Sequence, residues 1–253
     1  MSAGNTVEEA LSQSISEICE HIVSNDFLIT EHDKYYRIDP STLNSELQNK
    51  IKNIEKAGSK LLIFDLSYNY NMPVVMSLLI NPLTQTTTMN FGSFPIFDIA
   101  AERVITEVYQ GVKSFNTCED AIGAVQLPYE TGEKRSIIRM NSLLGLFTFN
   151  EKILDKSELV AYNKEIYLNK QDISNKELIS YFVDLFKKHN YSLHYINNSQ
   201  SPDLAAVYVM VPEYDYTFGQ FDKCLNYSDE VIYNHVLQVL RVYKFTNEIL
   251  FNP

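Results

Sequence analysis

The first twenty residues constrain the fold more than any other stretch of this chain. A small polar loop, Ser2 to Asn5, runs straight into a helix. Thr6 and Glu9 have the Thr-x-x-Glu spacing of a capping box. Val7, Ala10, Leu11, Ile15, Ile18 and Ile22 recur at helical spacing and make one apolar face. Such a face must be buried against another layer. Glu17 and Glu20 lie three residues apart off that face, so both carboxylates reach one ion. Further on, Arg103, Glu107 and Gln110 fall at i, i+4 and i+7 on one narrow helical face. Two helices that aim acidic and amide groups away from their apolar stripes point to a shared metal–phosphate site.

The rest of the pattern alternates. Asp33 to Pro40 reads as a polar connection. Leu43, Leu47, Ile51 and Ile54 mark a helix, with Gly58 as its C-terminal cap. Leu61 to Leu66 is a buried strand. Val74 to Ile80 and Thr86 to Met89 are strands joined through the turn Asn81 to Thr84, an antiparallel hairpin. A helix runs from Phe97 to about Gly111, and Asn116 to Gly132 is loop-like. Residues 136–168 carry no readable period. Ser174 and Glu177 form a second capping box, opening a helix through Phe186. Strands at Ser192 to Ile196 and Ala205 to Val211 follow, then a last helix from Ser228 to Tyr243. The order predicts an α+β fold, helices layered on a mixed or antiparallel sheet.

Bulk properties narrow the function classes. At 253 residues the chain suits one large domain or two small ones. A net charge of −11 argues against a broad basic surface for nucleic acid or anionic membrane. No apolar stretch reaches membrane-spanning length. Cys19, Cys118 and Cys224 have neither metal nor disulfide spacing, and a reduced cytoplasmic setting is the simplest reading. Phosphate-loop, dinucleotide and nucleophile-elbow motifs are absent.

Each candidate residue has a plain reading and a functional one. Glu17 and Glu20 fit a solvated helix face, the commoner place for acidic residues, and their spacing also permits magnesium, which takes one or two carboxylates plus substrate phosphates. Arg103 and Glu107 fit a surface ion pair worth a few tenths of a kcal/mol. Alternatively Arg103 binds phosphate, Glu107 a metal and Gln110 a polar nucleotide edge.

At these residues the sequence resembles the YcaO-domain family. The resemblance rests on Met1 to Thr6 with Glu9-Ala10 and Ser16-Glu17-Ile18-Cys19-Glu20. It continues in Pro73 to Pro82, in Asn90-Phe91-Gly92-Ser93-Phe94-Pro95, in Glu102-Arg103 through Thr106 to Gly111, and in Ala206 to Pro212. Residues 1–115 match well, 116–190 are poorly readable and 191–253 match more loosely. The resemblance implies a single partial YcaO domain over 1–253, with an ATP-binding fold that is incomplete here. It implies ATP and magnesium as cofactors, Glu17 and Glu20 at the metal, and Arg103, Glu107 and Gln110 at the nucleotide. It implies ATP-dependent phosphorylation of an amide oxygen, which turns a poor leaving group into a good one and leads to azolines or thioamides. A second implied role is accessory to methylthiolation of small-subunit ribosomal protein twelve; a third is a non-catalytic peptide- or protein-binding scaffold. The implied partners are a peptide or ribosomal protein substrate and a methylthiotransferase, with a homo-oligomer or a second chain supplying the missing half. Two departures weaken the nucleotide site: His21 and Val112 stand where the family pattern usually carries arginine, with Lys113 a partial substitute. The family pattern also places an acidic segment ahead of the first loop, so Met1 is expected to be an internal methionine of a longer ancestral frame.

Overall fold

Side-chain alternation along a central hairpin sorts the core into two sides. In β4 (Val74–Asn81), Val74, Met76 and Leu78 enter one apolar cluster, while Val75 and Leu79 enter another. β5 (Thr86–Ser93) pairs antiparallel with β4, from Val74 opposite Ser93 to Asn81 opposite Thr86. β3 (Lys60–Asp65) divides its residues the same way, Phe64 to the first side and Leu61 and Ile63 to the second. The protein is described here by a computed structural model covering residues 1–27, 30, 32–81, 86–108, 152–169, 172–199 and 204–214.

The hairpin belongs to a five-stranded sheet of order β5-β4-β3-β2-β6. Here β2 is Tyr35–Ile38 and β6 is Ser157–Val160. These two run parallel and the other pairs antiparallel, so the sheet is mixed. The long helix α1 (Val7–Phe27) covers one face with Ile15, Ile18, Cys19, Ile22 and Val23. Two helices cover the other face: α2 (Ser45–Lys56) through Leu47, Ile51 and Ile54, and α4 (Phe97–Glu107) through Ala100, Ala101, Val104 and Ile105. Asn44 caps α2 by accepting from Leu47 N at 2.9 Å, and Gly58 beyond its end has φ 91°, a left-handed position that favours glycine. The short α3 (Ser67–Tyr70) and α5 (Lys152–Asp155) complete this part.

A second, three-stranded sheet of order β1-β8-β7 lies on the far side of α1. It comprises β1 (Ser2–Gly4), β7 (His194–Asn197) and β8 (Ala205–Met210). Ala205 and Val207 pack on Ala10 and Leu11 of α1. Beside α1 runs α6 (Asn175–Lys188), opened by a reciprocal Ser174–Glu177 capping box and buried through Phe182, Leu185 and Phe186. The layers are therefore sheet, helices, sheet, helices, an α+β architecture. Among the described residues, no helix is long and apolar enough to cross a membrane.

Four expectations change. Ser2 to Asn5 is not a loop: Ser2 to Gly4 pair with Val207 to Ala205. Asp33 to Pro40 is not a plain connection, because it contains β2 followed by a single 3-10 turn, Pro40–Thr42. α1 is buried on more than one face: held between two sheets, it also buries Ser12, Ser14 and Ser16, whose small side chains admit close neighbours. The Thr6–Glu9 box closes only in part. Thr6 Oγ1 accepts from Glu9 N at 3.1 Å, but the Glu9 carboxylate accepts from Asn5 N at 2.8 Å, one residue earlier than a capping box requires. Within residues 136–168, α5 and β6 emerge where no period was readable. The expected loop Asn116 to Gly132 and the last helix Ser228 to Tyr243 lie outside the described residues, as do Gln110, Val112 and Lys113.

Two positions fix how α4 and the segment at 163–167 seat on the sheet. Gly92 lets α4 lie close on β5, since a Cβ there would sit 2.8 Å from Val104 Cγ1 and 3.2 Å from the Ala100 carbonyl oxygen. Asp65 is fully buried and accepts from Ser67 N, Asn163 N and the Tyr167 hydroxyl at 2.9, 2.8 and 3.2 Å.

Candidate functional site

α1 and α4 lie on opposite faces of the five-stranded sheet, yet their polar sides meet. They do so past β5, an edge strand of the sheet among the described residues. The close seat at Gly92 places the Arg103 Cβ just beyond that strand, 3.2 Å from where a Gly92 side chain would begin. From there the guanidinium reaches round the edge. Nη1 donates to the Ser93 carbonyl at 2.9 Å, and Nη2 donates to Gln13 Oε1 on α1 at 2.5 Å. The guanidinium carbon stands 4.9 Å from the centre of the Phe94 ring, a cation–π contact.

Gln13 carries the network onward. Its Nε2 donates to Glu17 Oε1 at 3.1 Å, and the Ser2 hydroxyl donates to Glu17 Oε2 at 3.0 Å. Pairing of β1 with β8 is what holds Ser2 there. The chain Arg103–Gln13–Glu17–Ser2 thus joins α4, α1 and the second sheet.

Glu20 lies one helical turn beyond Glu17 and is half-buried. Burial and the Glu107 carboxylate push the Glu20 carboxyl up to about 8; Arg103 pulls it back and Glu17 adds to the push. Among the described residues, no hydrogen bond to Glu20 contributes. Burial also weakens the hold of Arg103 on its proton, opposed by Glu20, Glu17 and Glu107 in turn. The structure therefore brings Glu17, Glu20, Arg103 and Glu107 into one electrostatic neighbourhood, while Gln110 lies outside the described residues. His21, next to Glu20, is exposed.

This donor set suits a hydrated divalent ion carrying phosphate better than a closed protein cage. Among the described residues, no three His, Cys, Asp or Glu side chains are grouped to hold a metal by themselves. Magnesium does not need such a group, since it commonly takes one or two carboxylates and completes its octahedron with water and phosphate oxygens. A cation beside Glu20 would relieve the like-charge crowding of Glu17, Glu20 and Glu107. Arg103, fixed by Ser93 and Gln13, presents a permanent positive fork to phosphate.

Reading the sequence missed Gln13, Ser2, Ser93 and Phe94. Gln13 had a signal: it stands four residues before Glu17 on the same helical face. Ser2, Ser93 and Phe94 stand inside segments that carry the family resemblance, but it is tertiary placement that brings them to the site.

Comparison with known proteins bears on the family and the fold. The family model described as YcaO cyclodehydratase, ATP- and Mg2+-binding, matches residues 1–215. A protein of Haemophilus influenzae is 37% identical over 113 residues, which are 44% of this chain and 19% of that relative. The ribosomal protein S12 methylthiotransferase accessory factor YcaO of Escherichia coli K12 is 35% identical over 113 residues, again 44% of this chain and 19% of the relative. The aligned part of this chain thus spans about a fifth of the length of these curated relatives. Among solved structures, the heterocyclase TruD superposes with a TM-score of 0.58 at 15% identity, covering 83% of this chain and 28% of that one. The YcaO of Methanopyrus kandleri, bound with AMPPCP and Mg2+, superposes with a TM-score of 0.50 at 16% identity, covering 90% of this chain and 58% of that one.

Proposed function

This chain belongs to the YcaO family, and on that premise we propose that it holds a magnesium–ATP complex between α1 and α4. In this reading Glu17 and Glu20 take the metal. Arg103, Glu107 and Gln110 take the nucleotide, with Arg103 on the phosphates. The wider role is accessory to methylthiolation of ribosomal protein S12, with a methylthiotransferase as partner and the ribosomal protein as the peptide-bearing substrate. The name of the Escherichia coli relative supports that role. The observation that carries the nucleotide reading is the convergence of Glu17, Glu20, Glu107 and Arg103 from two helices on opposite sheet faces.

The bound complex supplies a phosphoryl group and a metal charge that neutralises it. This chain's own residues orient it. The Arg103 guanidinium, clamped by Ser93 and Gln13, would hold the phosphates, and the Glu17 and Glu20 carboxylates would hold the metal. Loss of the cations expected at 21 and 112 weakens the grip. One missing charge-assisted contact is worth about 1.5–3 kcal/mol, roughly ten- to a hundredfold in affinity.

Thermal unfolding tests the reading, measured with magnesium alone, ATP alone and both together. Both together raise Tm, each alone does much less, and Arg103→Ala abolishes the gain. A Tm unmoved by millimolar magnesium–ATP would favour the scaffold reading, a YcaO domain that recognises a peptide without nucleotide chemistry. The exposed His21 in place of an arginine is the observation on that side.

A further inference from the structure

Opposite charges as near as Arg103, Glu17 and Glu20 attract strongly when partly buried, and direct pairing is the simplest way to satisfy them. Among the described ion pairs, however, none joins Arg103 to Glu17 or Glu20. Among the described residues, the guanidinium contacts are neutral: the Ser93 carbonyl, the Gln13 amide oxygen and the Phe94 ring. The described Glu17 contacts are neutral as well: the Ser2 hydroxyl and the Gln13 amide nitrogen. Among the described residues, Gln13 is the side chain bonded to both charges.

We infer that Gln13 is a positioning residue: it separates Arg103 from Glu17 and so leaves one charge open to an anion and the other to a cation. An amide is suited to this because its ends differ. The oxygen accepts from a guanidinium, which only donates, and the nitrogen donates to a carboxylate, which only accepts. A flipped amide would set donor against donor and acceptor against acceptor, so the two charges lock its orientation. Gln13 and Glu17 share a helical face at i, i+4, which keeps the amide over the carboxylate. A glutamate at 13 would neutralise Arg103 and repel Glu17. An apolar residue of the same length would let Arg103 swing onto Glu17.

The inference rests on the magnesium–nucleotide reading for the identity of the ligand, but the separation of charges is testable without it. Gln13→Met keeps the length and removes both polar ends. Its crystal structure, without ligand, is expected to show Arg103 in direct ion pairing with Glu17, and its Tm without ligand stays at or above that of the unaltered chain. Calorimetry with magnesium–ATP is expected to show about tenfold weaker binding than the unaltered chain. Gln13→Glu should weaken it further. Arg103 and Glu17 still apart in Gln13→Met would overturn the inference, as would a lowered Tm with unchanged nucleotide affinity, the signature of a packing role. If the unaltered chain binds no magnesium–ATP, the nucleotide reading fails; closure of the Arg103–Glu17 gap in Gln13→Met then still establishes the spacer, and an open gap removes it.

Discussion

Asp65 and Glu20 are both carboxylates whose proton affinity is raised by burial, and their surroundings differ in kind. Asp65 is enclosed by donors. Two backbone N–H groups and the Tyr167 hydroxyl point at it, and each pulls its pKa back down. Among the described residues Glu20 has no such donors; the charged groups that act on it are two further carboxylates and one guanidinium. The first arrangement is complete within the protein. In the second, Glu107 and Glu17 raise the Glu20 carboxyl against the pull of Arg103, and an external cation would relieve that repulsion. A raised carboxyl alone therefore does not mark a site; what marks it is a raised carboxyl that the protein itself leaves unsatisfied.

The largest effect that bears on this contrast is Asp65→Ala. It leaves three donors without their acceptor and releases the segment at 163–167 from β3. We expect a loss of about 3–5 kcal/mol in urea unfolding, because buried orphaned donors cost about 1–3 kcal/mol each and part of the cost relaxes. A loss under about 1 kcal/mol would break the comparison, placing Asp65 with Glu20 as a carboxylate the fold does not need.

The same contrast explains what could be read from the sequence. Local signals survived: the α2 helix with its Gly58 cap, the Ser174–Glu177 box and the β4–β5 hairpin all depend on neighbours in the chain. β1 was hidden because Ser2-Ala-Gly is three residues long and is a strand only through pairing with residues 205–207. β2 was hidden because Tyr35 and Ile38 face different clusters with polar neighbours between, and its parallel partner β6 lies far along the chain. At the site, the helical spacing of Glu17 and Glu20, and of Arg103 and Glu107, was visible. That the two sets meet was only a surmise, since it depends on β5 being an edge strand. The partners of Asp65 come from residues 163–167, which carried no readable period.

Gly92→Ala is the intermediate case, because it links core and site. The added methyl meets the Val104 side chain and, less yielding, the Ala100 carbonyl oxygen. Overpacking of this kind costs about 1–3 kcal/mol. It also pushes α4 off β5, so the Arg103 bond to Ser93 lengthens and any nucleotide-dependent gain in Tm shrinks. Stability loss with an unchanged ligand response would show that Arg103 reaches the site without the close seat of α4, and would separate core from site more sharply than the geometry does.

The smallest effect carries the opposite sign and discriminates best. Glu20 has a carboxyl raised to about 8 in the folded chain from 4.5, so the folded state binds its proton more tightly than the unfolded state does. That contribution to stability is fully present below 4.5 and is lost as pH rises through about 8. Glu20→Gln makes position 20 neutral at all pH values. The variant should match the unaltered chain at low pH and exceed it by about 1 kcal/mol at alkaline pH, a modest gain because the group is only half-buried. Binding of a divalent cation, which needs the carboxylate, should release protons near neutral pH in the unaltered chain and not in the variant. Chemical unfolding across pH, with and without magnesium, reads both effects. If Glu20→Gln were instead destabilising at alkaline pH, the Glu20 carboxylate would be satisfied by the protein as Asp65 is, and the case for an ion between α1 and α4 would fall with it.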